Sequence, residues 1–349
     1  MEKQTINNLK GEVRFRKILA KQHVTGEELL PDYYGKEEHD NILLERIDKT
    51  RRDLAKLEIH GSEVSPFLEM GAERCHRSLV LTNDYDAQGF AIDISLDQLK
   101  TAGHFASLFS LPKLPVRVCC DANCLPFRDN SFPFVFSYEF LHHFPSPKPI
   151  IKEIFRVMSK GLFFLDEEPF KTPRIPLYKQ KNKIYSRTTL AKSKVIRFIE
   201  RYLSIPHCDE REYGIIENTD IPLKEWIRSL SVFDSRRTVL NSSLNIRSEL
   251  GNNLNIRNLP NMFLGGSITG ICRKEMQEKQ EFLNLLEMLI CPNCQYQNDD
   301  EIVNHPPLIK KINSFKCEIC SSVFPEVEGV IVLLPYHLMN ELYPEIEIR

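Results

Sequence analysis

PFLEMGAERCHRSLVLTNDYDAQGFAIDIS, residues 66–95, decides the fold of this 349-residue chain. A short apolar run leads to the acid Glu69, a turn containing Gly71 follows, and a helical segment leads to a second apolar run that ends in Asp93. This order of strand, turn, helix, strand and acid is typical of a nucleotide-binding βαβ unit. Glycine lets the backbone approach a ligand closely, and a carboxylate after the second strand can accept hydrogen bonds from both ribose hydroxyls.

The turn departs from the dinucleotide-binding pattern G-x-G-x-x-G. Glu73 and Cys75 stand two and four positions after Gly71. A pyrophosphate would find neither the glycine-lined space nor a basic residue placed for it, so an adenosine ligand without phosphates fits better. The alternative is an ordinary α/β crossover that binds nothing.

Apolar runs and helical segments continue to alternate after this unit. Strands are predicted at 116–120, 134–137, 161–165 and 264–272, and helices at 96–111 and 149–158. This alternation predicts a parallel, doubly wound α/β sheet. Before it, 38–58 has the apolar spacing of an amphipathic helix, whereas 1–37 is predicted to form short helices or a loosely packed arm.

Composition limits the function classes. Lys and Arg number 46 and Asp and Glu 48, so the formal net charge of −2 indicates no particular partner. No apolar run approaches the roughly 18 residues of a membrane span, and the first residues lack the apolar centre of a signal peptide. Ten cysteines, four of them in CxxC pairs, favour the cytoplasm and a metal over disulfides.

A second motif follows the third predicted strand. CDANCLPFRDNSFPFVFSYEFLHHF, residues 120–144, resembles the run D-A-x-x-L-P-F-x-D-x-S-F-D-x-V-x-S…L-H-H of class I S-adenosylmethionine (SAM)-dependent methyltransferases, the methyltransferase type 11 group in particular. Residues 69–75 resemble the first motif of that group, E/D-x-G-x-G-x-G. Glu73 and Cys75 depart from the first motif. In the second motif, Pro133 stands where the group usually has Asp. The matching positions of the second motif are Asp121, Ala122, Leu125, Pro126, Phe127, Asp129, Ser131, Phe132, Val135, Ser137, Leu141, His142 and His143.

The resemblance implies a Rossmann-like, seven-stranded methyltransferase sheet within residues 61–274, preceded by a helical N-terminal arm, 1–60. In that fold two late strands close the sheet, and the last, antiparallel strand would be 264–272. The insert 170–260 would build the substrate region.

The resemblance also implies a cofactor, SAM, and the residues that hold it. Asp121 would face the adenine amino group, Ala122 would offer its backbone amide to the ring, and Asp93 would hold the ribose. The full implied set is Glu69, Gly71, Ala72, Asp93, Ile94, Asp121, Ala122 and Ser137. In the alternative interpretation, Asp93 and Asp121 only cap the helices that follow them.

Methyl transfer from a sulfonium is an in-line displacement in which alignment contributes most of the catalysis. A base is needed only for a protonated, weakly acidic nucleophile. Candidate catalytic residues stand at strand ends: Glu139, His142 and His143 after the fourth strand, and Asp166, with its neighbours Glu167 and Glu168, after the fifth. Histidine titrates in a suitable range, although this His-His pair also occurs in the group without a catalytic role. Asp166 begins an acidic cluster that would either bind the acceptor or form a solvated turn.

The C-terminal residues 281–340 carry two CxxC pairs, separated by twenty-two residues. Cys291, Cys294, Cys317 and Cys320 can close a tetrahedral site for zinc or, less often, iron. The alternative is four reduced cysteines without a metal. LLEMLICPNC (285–294) and CEICSSVFPEVEGVIVLLP (317–335) resemble the small zinc-ribbon activator protein of tRNA and release-factor methyltransferases. The resemblance implies a zinc-ribbon-like α+β domain that contacts the methyltransferase domain in cis.

Three functions remain open at this point. The first is a SAM-dependent methyltransferase for a small-molecule acceptor of the sugar, lipid-linked or natural-product type. The second is a tRNA or protein-factor methyltransferase, which the basic run 171–201 supports modestly because lysines and tyrosines bind RNA. The absence of an N-P-P-Y-type motif counts against it, so nucleic acid is not favoured. The third is a non-catalytic SAM-binding or scaffold protein.

Overall fold

The computed structural model describes residues 3–30, 33, 35–58, 64–172, 178–180, 203–206, 218, 220–242, 245–276, 282, 284–297 and 306–346. Most of the basic run 171–201 lies outside these described residues.

The described helices and strands alternate through the central part of the chain. The helices are α1 (Lys3–Thr25), α2 (Lys36–Glu58), α3 (His76–Asp84), α4 (Leu96–Lys100), α5 (Ala102–Leu108), α6 (Lys148–Val157), α7 (Leu223–Leu230), α8 (Leu259–Leu264), α9 (Pro292–Gln297) and α10 (Tyr336–Leu342). The strands are β1 (Phe67–Met70), β2 (Gly89–Asp93), β3 (Val116–Cys120), β4 (Phe132–Tyr138), β5 (Met158–Pro169), β6 (Tyr178–Gln180), β7 (Ser204–Pro206), β8 (Ser235–Ser242), β9 (Arg247–Leu250), β10 (Gly266–Lys274), β11 (Ile309–Lys311), β12 (Ser314–Lys316), β13 (Val323–Val327) and β14 (Val330–Leu333).

Twelve strands form one continuous sheet in the order β11-β12-β13-β14-β3-β2-β1-β4-β5-β10-β8-β9. The strands from β3 to β5 are parallel, and β10 runs antiparallel between β5 and β8. The predicted doubly wound α/β arrangement, with a late antiparallel strand, is therefore present in the seven strands from β3 to β8. The predicted total of seven is wrong, because β9 extends one edge and β14 continues the other into the C-terminal residues.

The central strands form because their residues are almost uniformly apolar. Every residue of β1 and β4 is buried, as expected for parallel strands that helices cover on both faces. On either side of them, β2 and β5 bury most of their residues. The carboxyl ends of β1, β2, β3 and β4 consequently share one edge of the core, where the chain leaves the apolar interior.

The N-terminal residues differ from the prediction of short helices or a loose arm. α1 is a single helix of 23 residues, and Val13, Phe15 and Leu19 on it are buried. Val13 belongs to the same apolar cluster as Leu96 and Leu338. The sequence pattern concealed this helix because its apolar contacts come from segments far away in the chain. The helix predicted at 38–58 corresponds to α2.

The C-terminal residues pack against the core. β14 pairs in parallel with β3, so that Ile331 lies opposite Val118. Before Cys291, Leu285–Met288 forms a 3₁₀ turn, after which Leu289 bridges to Phe127. Among the described residues, no helix combines the length and apolarity that crossing a membrane requires.

Candidate functional site

A cavity of about 210 Å³ opens at the carboxyl ends of the central strands. The strand order changes direction between β1 and β4, and doubly wound sheets bind their ligands at such a switch point. Helices α1 and α2 supply part of the opposite wall. The predicted site residues that line the cavity are Gly71, Asp93, Ile94, Asp121, Ala122, Glu139, His142 and His143.

The turn between β1 and α3 keeps a glycine-like backbone even where glycine is missing. Gly71 has a left-handed φ of 66°, and a Cβ placed there would lie 2.3 Å from Cδ2 of Phe140. Glu73 and Cys75, where the chain departs from the glycine pattern, have φ of 47° and 62°. This conformation costs about 1–2 kcal/mol for each residue with a side chain. The departures therefore change the side chains of the turn without changing its path.

Asp93 ties the turn to the end of β2. Its Oδ2 accepts the backbone N–H of Glu73 at 2.9 Å, and its Oδ1 accepts that of Ser95 at 2.8 Å. An ionised carboxylate has about four acceptor sites, so the group retains acceptor capacity for two ribose hydroxyls. Burial raises the pKa of Asp93 to about 6.

Asp121 occupies the corresponding position after β3. Its Oδ1 accepts both the backbone N–H and the side-chain Nδ2 of Asn123, at 2.9 and 2.8 Å, and burial raises its pKa. Local bonds of this kind also satisfy the interpretation in which Asp93 and Asp121 only cap the following segments. Their shared position on the cavity wall is what ligand binding additionally requires.

Two arginines that sequence reasoning missed hold Glu73 in the cavity wall. Nη1 of Arg16 donates to Oε1 at 2.6 Å, and Nη1 of Arg46 donates to Oε2 at 3.2 Å. Burial alone would raise the pKa of Glu73, but the two guanidinium groups outweigh it and hold that pKa well below its usual value. Arg16 also pairs with Glu12, and Arg46 lies 3.6 Å from Glu139. Ion pairs of Arg16 and Arg46 thus connect α1 and α2 to the turns that follow β1 and β4.

Four predicted residues do not appear in the described cavity wall. Glu69 is buried and accepts the backbone N–H and the hydroxyl of Ser78, and burial raises its pKa to about 7. Ala72 and Ser137 are buried in the turn and in β4. Asp166 is buried and hydrogen-bonds Lys49 and Thr269. These residues underlie or flank the site rather than line it.

The turn after β4 is held by a fully buried acid, Glu168, from the acidic cluster predicted at the end of the fifth strand. Its Oε1 accepts the backbone N–H groups of Phe140 and Leu141 at 2.9 Å. Its Oε2 accepts the backbone N–H of His142 at 3.2 Å and lies 3.1 Å from Nδ1 of the same residue. Glu168 therefore fixes both the turn and the orientation of one candidate histidine.

His143 stacks on His142, with ring centroids 4.5 Å apart. Burial, and then the charge of His142, lower the pKa of His143 to about 4, so its imidazole is neutral near pH 7. Its buried Nδ1 has no hydrogen-bond partner among the described residues. A neutral, unsatisfied ring nitrogen on a cavity wall can hydrogen-bond a ligand group.

The four predicted metal ligands come together. The sulfur atoms of Cys291, Cys294, Cys317 and Cys320 all lie within 4.8 Å of one another. The Cys291–Cys320 and Cys294–Cys317 separations are 3.5 and 3.7 Å. Four thiolates around zinc at about 2.3 Å would stand about 3.8 Å apart. The donor set and its spacing therefore fit a tetrahedral thiolate site.

Two C-terminal residues contact the loops that carry Asp93 and Asp121: Ile290, next to Cys291, and Tyr343, just after α10. The backbone N–H of Ile290 donates to the carbonyl of Pro126 at 3.0 Å. The hydroxyl of Tyr343 donates to the carbonyl of Ile94 at 2.7 Å and accepts the N–H of Leu96 at 2.9 Å. The C-terminal residues thus support both loops from outside the cavity.

Comparison with solved structures finds similar chains. A protein named as a candidate methyltransferase from Bacillus halodurans is 17% identical, with 64% of this chain and 100% of that chain covered and a TM-score of 0.39. The YcgJ protein of a Bacillus species is 14% identical, with 63% and 98% covered and a TM-score of 0.36. A geranyl diphosphate methyltransferase in complex with GPP and sinefungin is 8% identical, with 60% and 70% covered and a TM-score of 0.37.

Residues 68–165 match a protein family described as a methyltransferase domain. The matched segment begins in β1 and ends in β5, and it contributes Gly71, Asp93 and Asp121 to the cavity. SAM dependence is implied by that family. The match supports a methyltransferase built on residues 68–165.

Proposed function

We propose that this protein is a SAM-dependent methyltransferase that acts on a small-molecule acceptor. The observation that carries the proposal is the joint position of Gly71, Asp93 and Asp121 around one cavity at the switch point of the sheet. These residues come from three neighbouring strand ends and supply a close-approach turn, the half-buried carboxylate of Asp93 and the buried carboxylate of Asp121.

The residues present suit the cofactor. Asp93 would accept the ribose hydroxyls, and Asp121 with the backbone of Ala122 would hold the adenine edge, which offers one donor and one acceptor. The turn at Gly71 would accommodate the methionine portion. The cofactor would supply an electrophilic methyl group on a sulfonium.

The chain's own contribution to catalysis would be alignment and exclusion of water. α1 places Asn8, Leu9 and Glu12 over the strand ends, so an acceptor would be held in an enclosed space and oriented towards the methyl group. This cover favours a small molecule over a folded RNA or protein. His143, neutral at pH 7, would accept a hydrogen bond from the acceptor, and Glu168 would keep His142 beside it. A pKa of about 4 makes His143 a weak base, so positioning is its main role.

Calorimetric titration with SAM and with S-adenosylhomocysteine tests the cofactor site. Asp93→Ala and Asp121→Asn each remove a charged acceptor, and we expect losses of about 10- to 100-fold in affinity from about 1.5–3 kcal/mol. Asp97→Asn, on α4 and outside the described cavity wall, serves as the matched control and should bind normally. Folded wild-type protein that binds neither nucleoside would contradict the proposal.

The choice of acceptor has its own test. Protein supplied with methyl-labelled SAM and a cell extract should label the fraction that passes an ultrafiltration membrane. Label in the RNA or protein fraction instead would favour the tRNA or protein-factor alternative. SAM binding without any labelling would favour the non-catalytic alternative.

We further propose that residues 281–340 form a zinc-ribbon-like domain whose metal is structural. The sulfur spacing of the four cysteines and the hydrogen bonds of Met288 and Ile290 with the 126–128 segment support this role. Elemental analysis should find about one zinc per chain, lost in Cys317→Ser and retained in Cys272→Ala, since Cys272 lies in β10. Metal-free wild-type protein with unchanged thermal stability would contradict it.

A further inference from the structure

One buried cation of the cavity wall forms no ion pair with an acid among the described residues. Arg77, on the first turn of α3, is 5% exposed and lines the cavity. Its Nη1 donates to Nε2 of His76 at 2.8 Å, and its guanidinium lies 4.1 Å from the ring centroid of Tyr138. Its buried Nε has no hydrogen-bond partner, and it forms no ion pair, among the residues that the structure describes.

The other two arginines of the described cavity wall differ in this respect. Arg16 pairs with Glu12 and Glu73, and Arg46 pairs with Glu73 and Glu139. The charge of Arg77 acts on two acids, Glu69 and Glu167, and lowers the pKa of each against the effect of burial. Neither acid hydrogen-bonds Arg77 among the described residues, and Glu69 accepts instead from Ser78.

The contacts that Arg77 does make cannot replace an anion. An arginine nitrogen can only donate, so Nε2 of His76 must accept, and that histidine is neutral. Burial, and then the charge of Arg77, hold the pKa of His76 well below its usual value. A buried charge without a hydrogen-bonded counter-ion costs several kcal/mol, and a cation–π contact recovers only about 2 kcal/mol. A guanidinium pairs best with a carboxylate or a phosphate, through two parallel hydrogen bonds.

The strand order places Arg77 at the far end of the cavity from the nucleoside. Asp121 follows β3, Asp93 ends β2, Gly71 follows β1 and Tyr138 ends β4, and these strands are neighbours in that order. Adenine and ribose would lie at the β3 and β2 ends, and the methionine portion at β1. The guanidinium of Arg77 leans on Tyr138, so it lies at the β4 end, where an acceptor would approach.

We propose that Arg77, backed by Tyr138, is the anion-binding residue of the acceptor subsite, and that the acceptor carries a carboxylate or phosphate group. This inference rests on the proposed methyltransferase function and specifies its substrate class. The cofactor also carries a carboxylate, on its methionine portion, so the experiment must separate the two sources.

Calorimetry with four probes separates them. S-adenosylhomocysteine carries the methionine carboxylate, and 5′-methylthioadenosine lacks it; acetate and inorganic phosphate report on an independent anion site. We expect Arg77→Gln to bind both nucleosides as wild type does. Wild-type protein saturated with S-adenosylhomocysteine should bind acetate or phosphate saturably at constant ionic strength, and Arg77→Gln should bind them at least about tenfold more weakly, the equivalent of about 1.4 kcal/mol. Arg52→Gln, an exposed position on α2, should behave as wild type.

Arg77→Lys is a second variant that separates a loss of anion binding from a folding defect in Arg77→Gln. Lysine keeps the positive charge but cannot form the two parallel hydrogen bonds of a guanidinium, so Arg77→Lys should restore part of the anion affinity. Two results overturn the proposal. In the first, Arg77→Gln weakens S-adenosylhomocysteine but not 5′-methylthioadenosine, which assigns the guanidinium to the cofactor. In the second, wild type binds the small anions no better than Arg77→Gln and Arg77→Lys do.

Failure of the proposed function is recognised separately. In that case wild type binds neither nucleoside, and the anion titrations are repeated on ligand-free protein. Loss of anion binding in Arg77→Gln would then still show an anion site beside Tyr138, whereas equal binding would remove it.

Discussion

Replacing Gly71 by alanine tests the turn on which the site depends. The new Cβ would lie 2.3 Å from Cδ2, 2.9 Å from Cγ and 3.0 Å from Cε2 of Phe140, at a φ of +66°. The left-handed backbone costs about 1–2 kcal/mol for a residue with a side chain, and overpacking costs about 1–3 kcal/mol. Gly71→Ala should therefore lower the free energy of unfolding by about 2–5 kcal/mol.

The assay combines thermal unfolding with calorimetry. At about 2 °C per kcal/mol for a chain of this size, the melting temperature should fall by at least about 4 °C. Phe140 lines the cavity, so its displacement should also weaken S-adenosylhomocysteine binding by at least about tenfold, or about 1.4 kcal/mol.

Two further variants identify the cause. Gly103→Ala, in α5, would place its Cβ in open space and should be neutral or stabilising by about 0.5–1 kcal/mol. Combining Phe140→Leu with Gly71→Ala should recover the part of the stability loss that comes from overpacking, but not the part that comes from the left-handed backbone. A Gly71→Ala protein with wild-type melting temperature and affinity would refute the described turn.

Three other outcomes follow from the site. Burial raises the pKa of Asp93 to about 6, and ribose hydroxyls donate to the ionised carboxylate. The affinity for S-adenosylhomocysteine should therefore rise by about tenfold as the pH increases from 5 to 7. An equal rise in Asp93→Asn would exclude this group as the cause. Glu168→Gln weakens the acceptor of three backbone N–H groups, so urea unfolding should show a loss of about 2 kcal/mol, and an unchanged midpoint would count against that role. Asp166→Asn breaks the buried pair with Lys49, so stability should fall by about 2 kcal/mol while nucleoside affinity is kept; lost methyl transfer in a protein of unchanged stability would instead assign Asp166 to catalysis.

The parts of the site that are local in sequence could be predicted. Asp93 and Asp121 each end or follow an apolar strand, and the edge that parallel strands share brings such residues together. The pattern predicts a nucleoside site at the glycine turn and Asp93, the family resemblance adds Asp121, and all three line the cavity. The same reasoning placed Asp166 at a strand end but could not foresee that Lys49 and Thr269 would engage it.

The parts that depend on distant contacts could not be predicted. Arg16 and Glu73 are 57 residues apart, and nothing in the spacing of α1 distinguishes Arg16 from a solvated arginine. The sequence does not distinguish Arg77 from other helix residues, because its contact with Tyr138 depends on the fold. The predicted number of strands in the sheet was too low for the same reason, because no local sequence pattern indicates that β14 pairs with β3.

The pairing of β14 with β3 also has a consequence for biosynthesis. Arg117 and its hydrogen-bond partner Gly329 are 212 residues apart in the chain. At typical elongation rates, β3 leaves the ribosome about 10–40 s before the strand that covers it. During that interval its outer edge can pair with strands of other chains. Successful production of this protein therefore depends on β14 being translated and pairing with β3 before a strand of a neighbouring chain does.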